Sequence, residues 1–415
     1  MNTPPGPDPT RPTTGSDVSR PSRHDVQTEE SSRELLGGIV LFAATVVALV
    51  LANSPLRDGY LDLLGHSVGG GPDALHLREP LGAWVNDGLM AVFFLVVGVE
   101  INRELTTGAL RDRKAAALPV VAALGGMIVP ASIFLLVTRG TDATHGWGIP
   151  MATDIAFVLG VVALLGRRVP SGLRLFLLTA AVVDDLGAIL VIAIFYTDRL
   201  AVAWLLAAVG VFTGVLVLRR RALWSAGPNG IGHVPFVLLG VGLWYCLLRS
   251  GVHPTIAGVA MGLAAPARPP SEHRPSVVER VEHLVGPWSS FLVLPLFALA
   301  NAAVPLDGAL DHAGSPVAIG VVVGLVVGKA IGVGGGAWLA RRTGIGALPA
   351  GVTSTHLVGG ALLTGIGFTV SLFVTELAFT DPALIQEAKV GILVASTLAA
   401  FSGSAFLATV HTRRS

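Results

Sequence analysis

LRLFLLTAAVVDDLGAILVIAIFY, residues 173–196, combines an apolar run long enough to cross a bilayer with two adjacent acids, Asp184 and Asp185. A membrane-spanning helix needs about 20 predominantly apolar residues. A carboxylate at the bilayer centre costs about 2.5–3.5 kcal/mol on insertion scales, and such acids almost always face a water-filled cavity or an ion pathway. This stretch therefore predicts a membrane-spanning helix that carries a functional site.

The whole chain has the composition of an integral membrane protein. Of its 415 residues, 52% are hydrophobic and 13% are charged, whereas soluble domains contain about 25% charged residues. We expect a tail, 1–33, followed by a transmembrane domain, 34–411. The tail is rich in Pro, Ser, Thr and charged residues, which predicts disorder. It also lacks the apolar core of a secretory signal peptide.

About twelve apolar segments follow the tail, and most of them approach the length of a span. Lys and Arg concentrate in the connections after even-numbered segments, and cytoplasmic connections are the ones enriched in these residues. The bias predicts an even number of spans with both termini, including the tail, in the cytoplasm. The segments are 35–53, 81–101, 115–138, 148–166, 172–196, 200–218, 234–249, 252–265, 288–305, 316–340, 354–378 and 388–409.

Segments four and eleven contain helix-breaking sequences. The fourth includes GWGIPMATDIAFVLG (146–160), and the eleventh includes HLVGGALLTGIGFTVSLF (356–373). Proline removes a helix hydrogen bond, and glycine lowers the cost of unwinding. Seven crossings separate the two segments, so they run in opposite directions. Paired interrupted helices in antiparallel halves indicate an all-α inverted-repeat transporter with its site at the membrane midplane.

Several charged residues lie within these apolar segments. Because one lysine neutralises only one carboxylate, at least two of the acids need another partner, and a cation or a proton would serve. Adjacent residues on a helix point about 100° apart, so one of the paired aspartates can face an ion while the other faces the lysine. Ion pairs that only fix helix packing are the alternative. The residues are Asp87, Asp154, Asp184, Asp185, Lys329 and, nearer a segment end, Glu100.

Seven motifs in these segments are distinctive: NDGLMAVFFLVVGVEINRE (86–104), ATDIAFVLGV (152–161), AAVVDDLGAI (180–189), SGVHPTIAGV (250–259), PLFALANA (295–302), VGKAIGV (327–333) and LTGIGFTVSLF (363–373). Through these motifs the chain resembles, from about residue 35 to residue 409, the NhaA-type sodium/proton antiporters. The resemblance implies two broken helices that cross, and a bacterial-type cytoplasmic (inner) membrane as the location.

The resemblance also implies roles for individual residues at the ion site. Asp185 matches the main carboxylate that binds the cation and exchanges protons. Asp184 matches its partner, which pairs with Lys329 in one protonation state. Asp154, together with Thr153, matches the position at the crossing of the broken helices, and with Asp185 it would contact the transported Na⁺.

Further residues match supporting parts of that family. Asp87 matches an additional membrane acid. Glu100, Glu282 and His283 match a cytoplasmic cluster linked to the response to pH. The stretch 54–80 matches an extracytoplasmic loop with a β-hairpin, through which two copies form a homodimer.

The sequence therefore predicts a secondary active transporter that exchanges Na⁺ (or Li⁺) for H⁺ at shared aspartates. We expect electrogenic, pH-regulated exchange that serves sodium and pH homeostasis, with membrane lipid as a partner and with no cofactor and no nucleic acid. The nucleotide-binding pattern GxxxxGK[ST] is absent from the sequence, which argues against ATP as the energy source.

Two other classes of protein use related features. Intramembrane aspartyl proteases also contain paired membrane aspartates, but their Tyr-Asp and Gly-x-Gly-Asp contexts are absent from the sequence. A cotransporter for an organic solute would need a larger and more aromatic pocket, whereas only 6% of the residues are aromatic. Neither alternative fits the sequence as well as a cation/proton antiporter.

Overall fold

The computed structural model describes residues 23–70, 77–197, 200–220, 234–269, 275–307 and 312–410. Almost all of the described chain is helical, and one short antiparallel ladder joins β1 (Ser67–Val68) to β2 (Glu79–Pro80). The helices are α1 (Arg23–Ala52), α2 (Arg57–Gly65), α3 (Leu81–Thr106), α4 (Arg113–Val137), α5 (Ile155–Leu165), α6 (Ser171–Phe195), α7 (Val202–Arg220), α8 (Val234–Ser250), α9 (Ile256–Ala264), α10 (Val277–Asn301), α11 (Pro316–Arg342), α12 (Ser354–Leu363), α13 (Phe368–Ala378) and α14 (Pro382–Thr409).

Within the described ranges, eight helices are long and apolar enough to cross a membrane, and counting each of two bent pairs as one span raises the number to ten. The shorter apolar helices α8 and α9 account for the other two predicted segments. The predicted all-α membrane fold is thereby confirmed. The count of twelve spans stays a prediction.

Both bends lie in the segments whose sequences predicted interruptions. The 3₁₀ helix Asp142–Met151 meets α5 at 41°, and α12 meets α13 at 45°. Pro150 lies in the last turn of the 3₁₀ helix, where a continuing α-helix would lack its N–H donor. In the second bend, residues 364–367 separate the two helices and contain Gly365 and Gly367.

The first helix begins earlier than the sequence predicted. Helix α1 starts at Arg23, so residues 23–33 of the predicted disordered tail are helical. No proline or glycine occurs between Arg23 and Gly37, and the glutamates and glutamine in this stretch favour helix formation. Residues 1–22 of the tail lie outside the described residues, as does residue 411 at the predicted end of the transmembrane domain.

The connection 54–80 contains both an expected and an unexpected element. The ladder pairs Ser67 with Pro80 and Val68 with Glu79, which fits a hairpin. Helix α2 occupies much of the first half of the connection, and the sequence did not predict it. Residues 71–76 of the expected hairpin lie outside the described residues.

Helices α4 and α11 pack backbone against backbone along a glycine seam formed by Gly125, Gly332 and Gly336. A Cβ atom at Gly332 would overlap the carbonyl oxygen of Gly125, and a Cβ atom at Gly336 would lie 2.5 Å from the carbonyl oxygen of Val121. Small residues allow helices to approach this closely in membranes. The seam fixes the position of Lys329, which precedes Gly332 by about one turn.

We expect Gly332→Ala to destabilise the protein, because the added methyl group must separate α4 from α11. Overpacking of this kind costs about 1–3 kcal/mol. Thermal unfolding of the purified protein in detergent would measure the effect. Gly335→Ala is the matched control, since a Cβ atom at that position of the same helix meets nothing within 4 Å. Equal unfolding temperatures for the two variants would contradict the prediction.

Candidate cation site

Helix α6 places the two adjacent aspartates near its middle. The helix is continuous through Asp184 and Asp185, and the two residues are only 3% and 4% exposed. Since adjacent side chains on a helix diverge by about 100°, the two carboxylates have different surroundings. The two carboxylates therefore differ in the groups that they contact.

Asp184 forms a buried ion pair with Lys329. The Lys329 ammonium donates to Asp184 Oδ2, and Lys329 itself is fully buried. The Thr153 hydroxyl donates to the same oxygen at 2.7 Å and also lies 3.1 Å from the carbonyl oxygen of Thr364. The structure thus brings Asp184 and Lys329 together, and it adds Thr153, which the resemblance grouped with Asp154, to this pair.

A π-helical turn leads directly into Lys329. Residues Gly324–Gly328 form this turn in α11, and π turns inside helices occur frequently at functional sites. A Cβ atom at Gly328 would lie 2.9 Å from the Cα atom of Pro130, so α11 passes close to α4 here. The extra residue in the turn changes the direction in which the following side chains point, including that of Lys329.

Asp154 lies between the two broken helices and caps both of their second halves. Its Oδ1 accepts from the N–H of Phe157 at 3.1 Å, which caps α5. Its Oδ2 accepts from the N–H and the hydroxyl of Thr369, at 2.9 and 2.6 Å, in the first turn of α13. Its own N–H donates to the carbonyl oxygen of Ile366 at 2.7 Å. A carboxylate is stabilised at helix N-termini, where backbone N–H groups and helix dipoles converge.

Asp185 differs from the other two aspartates. Among the described residues, no hydrogen-bond donor or cation lies within bonding distance of its carboxylate. The charged groups near enough to act on it electrostatically are Asp184, Glu100, Asp154 and Lys329. One oxygen of Asp184, Oδ1, is likewise buried without a hydrogen-bond partner. Buried, unsatisfied carboxylate oxygens are costly, and they are the ligands that hard cations prefer.

These carboxylates do not form a ready-made resident metal centre. Across the described part of the chain, no three His, Cys, Asp or Glu side chains converge in a way that would hold a metal ion. The predicted contacts of Asp154 and Asp185 with Na⁺ therefore stay predictions. An ion that is cargo would contact them only transiently.

The remaining predicted residues lie outside this central site, which comprises Asp184, Asp185, Lys329, Thr153 and Asp154. Asp87 lies in a π-helical turn of α3, with its carboxylate 4.0 Å from His253 Nε2. On the same helix, Glu100 interacts electrostatically with Arg103 and Glu282.

The predicted pH-response cluster is only partly assembled. Arg103 Nη1 and Glu282 Oε1 form an ion pair at 2.6 Å, close to Glu100. His283, the next residue on α10, is exposed. Glu100 lies about one turn before Arg103 on α3. The roles of these residues stay predictions.

A model of the protein family described as Na⁺/H⁺ antiporter 1 matches residues 29–407. The chain belongs to this family. Na⁺/H⁺ antiporter NhaA of Bordetella parapertussis is 48% identical over 90% of this chain and 94% of its own length. NhaA of Yersinia pseudotuberculosis is 44% identical over 91% and 95%. NhaA 3 of Frankia alni is 42% identical over 98% and 93%.

A solved structure gives an independent view of the fold. The sodium/proton antiporter MjNhaP1 from Methanocaldococcus jannaschii superimposes with a TM-score of 0.54 over 94% of this chain and 99% of that chain, at 12% identity. At this identity the match shows the fold alone. The predicted antiporter family and the predicted membrane fold are both confirmed.

Sequence reasoning missed two polar contacts in this Na⁺/H⁺ antiporter 1 family member. Thr369 holds Asp154, but its sequence context did not single it out. Lys389 lies within the predicted segment 388–409, but the sequence did not predict that it pairs with Glu376 at 2.8 Å. Helix α14 also begins at Pro382, before the predicted start at 388; Asp381 caps it and Pro382 is its first residue, a position where proline is favoured.

We expect Thr369→Val to destabilise the antiporter more than Thr375→Val on the same helix. Thr369 donates to a buried carboxylate, and a hydrogen bond to a charged group contributes about 1.5–3 kcal/mol. The Thr375 hydroxyl donates only to the carbonyl oxygen of Ser371 at 2.8 Å. Unfolding temperatures of the two purified variants provide the comparison, and an equal loss in both would contradict the assigned contact.

Proposed function

We propose that this chain is an electrogenic, pH-regulated Na⁺(Li⁺)/H⁺ antiporter in which Asp185 binds the cation and protons alternately. The observation that carries the proposal is the contrast between three buried aspartates. Asp154 is occupied by backbone N–H groups and Thr369, Asp184 is paired with Lys329, and Asp185 has no polar partner among the described residues. Asp185 is therefore the carboxylate available for exchange.

The free oxygen of Asp184 provides a second candidate ligand for the cation, in addition to Asp185. Its Oδ1 is buried and unpartnered, while its Oδ2 holds Lys329 and Thr153. A sodium or lithium ion can take Oδ1 together with the carboxylate of Asp185, because hard cations bind carboxylate oxygens. The same oxygens hold protons when the ion is absent. Competition for them produces exchange without any covalent step.

The charge count supports more than one proton for each sodium ion. One proton leaves Asp185 when the cation arrives, and a second leaves the Asp184–Lys329 pair, because the cation competes with the ammonium for Asp184. Each net charge that crosses the membrane gains about 2.3 kcal/mol per 100 mV. An inside-negative potential would thus drive two protons in against one Na⁺ out.

The other features of the proposal follow from the arrangement around the site. The contacts of Asp154 with both breaks support crossed, inverted halves. We assign the pH response to Glu100, Glu282 and His283, a supporting role to Asp87, and dimer formation to 54–80. The antiporter would lie in a bacterial-type cytoplasmic membrane with both termini inside, and its homologues are named as antiporters rather than enzymes.

Asp185→Asn should abolish Na⁺-dependent proton release, because the amide keeps the shape of the side chain and loses its charge. A pH-sensitive dye in everted vesicles, pulsed with Na⁺ or Li⁺, would report a drop of at least tenfold in the exchange rate. Asp62→Asn is the control, since this acid is exposed on α2. Normal exchange by the Asp185 variant would disprove the site assignment.

Electrogenic exchange should respond to an imposed membrane potential. In proteoliposomes, an inside-negative potential is expected to accelerate Na⁺ efflux relative to vesicles clamped at zero potential with potassium and valinomycin. The acceleration follows from the net inward movement of positive charge. Identical efflux rates at both potentials would show that the exchange is electroneutral.

A further inference from the structure

A long apolar groove runs between α1, α5 and α14 and reaches Phe157 and Ile366, whose backbone groups bond to Asp154. It has a volume of about 350 Å³. Leu35 and Leu164 lie towards one end, Ala400 lines its α14 wall, and Phe368 reaches the break before α13. No charged side chain lines the groove, and its few hydroxyl groups come from serine and threonine. These walls suit a hydrocarbon rather than an ion or a column of water.

The rim of the groove lies on the outer surface of the membrane-spanning helices. Phe42 is 59% exposed, Leu164 is 69% exposed and Phe401 is 73% exposed. All three lie on helices that are long and apolar enough to span, alone or as part of a bent pair. Large apolar side chains on such helices face lipid, so the groove opens towards the hydrocarbon of the bilayer.

The length of the groove matches one leaflet. Its lining on α1 runs from Leu35 to Thr45, a rise of about 15 Å at 1.5 Å per residue. The hydrocarbon core of a bilayer is about 30 Å thick, so one acyl chain extends through about half of it. A single lipid chain therefore fits between the membrane surface and the break at Phe368.

Basic residues lie at the end of the groove marked by Leu35 and Leu164. Arg33 precedes Leu35 by two residues on α1, and Arg168 lies four residues after Leu164, in the short 3₁₀ turn Gly166–Arg168 that follows α5. Both arginines are exposed. Basic side chains at a membrane surface attract anionic lipid head groups. The charge at this end complements an anionic head group attached to a chain that enters the groove.

We propose that the groove binds one acyl chain of an anionic phospholipid, with the head group at Arg33 and Arg168. The chain packs against Ile366 and Phe368, on either side of Gly367, and so supports the second break from its lipid side. This inference does not depend on which ions the protein exchanges, since no residue of the central site lines the groove.

Ala400→Trp tests the groove directly, because the indole fills the space that the acyl chain would occupy. Leu398→Trp is the matched control: the residue lies on the same helix, is 48% exposed and does not line the groove. Native mass spectrometry of the detergent-purified full-length protein, incubated with phosphatidylglycerol, would count the bound lipids. We expect at least a fivefold loss of bound lipid in Ala400→Trp and none in Leu398→Trp.

A second variant tests the head group without altering the groove. Arg33→Gln combined with Arg168→Gln should remove the preference for phosphatidylglycerol over phosphatidylcholine with identical chains, while total lipid binding in the groove persists. Retention of phosphatidylglycerol by Ala400→Trp, or an equal loss in Leu398→Trp, would overturn the proposal. An unchanged head-group preference in the double variant would overturn its anionic part.

Discussion

The buried ion pair between Lys329 and Asp184 is the interaction on which the central site depends. Removing one partner of a buried pair costs about 3–5 kcal/mol, because the other charge is left uncompensated. The glycine seam brings α11 against α4, and the π-helical turn sets the direction of Lys329. On the other side of the pair, Thr153 in the first break donates to the same oxygen. Seam, turn and break must therefore form together.

Much of the fold and part of the site could be predicted from the sequence, because the strongest signals were physical conflicts. Acids inside apolar segments, and a proline with clustered glycines where a helix should continue, are costly unless they have a function. They marked Asp184, Asp185 and both breaks. The contacts of Asp154 with the first turns of α5 and α13 explain why an acid is tolerated at the break.

Some of the features that sequence reasoning missed depend on tertiary contacts, and others depend on local helix signals. Thr369 resembles any other helical threonine until the second bend places it against Asp154. The π-helical turns arise from packing and have no distinctive composition. Helix α14 begins before the predicted segment because its first turns are polar, and α1 begins early because helix formers occur in a stretch that resembled a disordered tail. Tertiary contacts thus account for Thr369 and the π-helical turns, whereas local helix signals account for the starts of α1 and α14.

The single carboxylate of Asp154 has a mechanical consequence for the way this molecule can move. Its two oxygens hold the starts of α5 and α13, and its N–H holds the loop between α12 and α13. Neither half-helix can slide past the other without breaking a hydrogen bond of this buried carboxylate. The two breaks are therefore linked mechanically, and a movement of α5 is transmitted to α13 through one side chain.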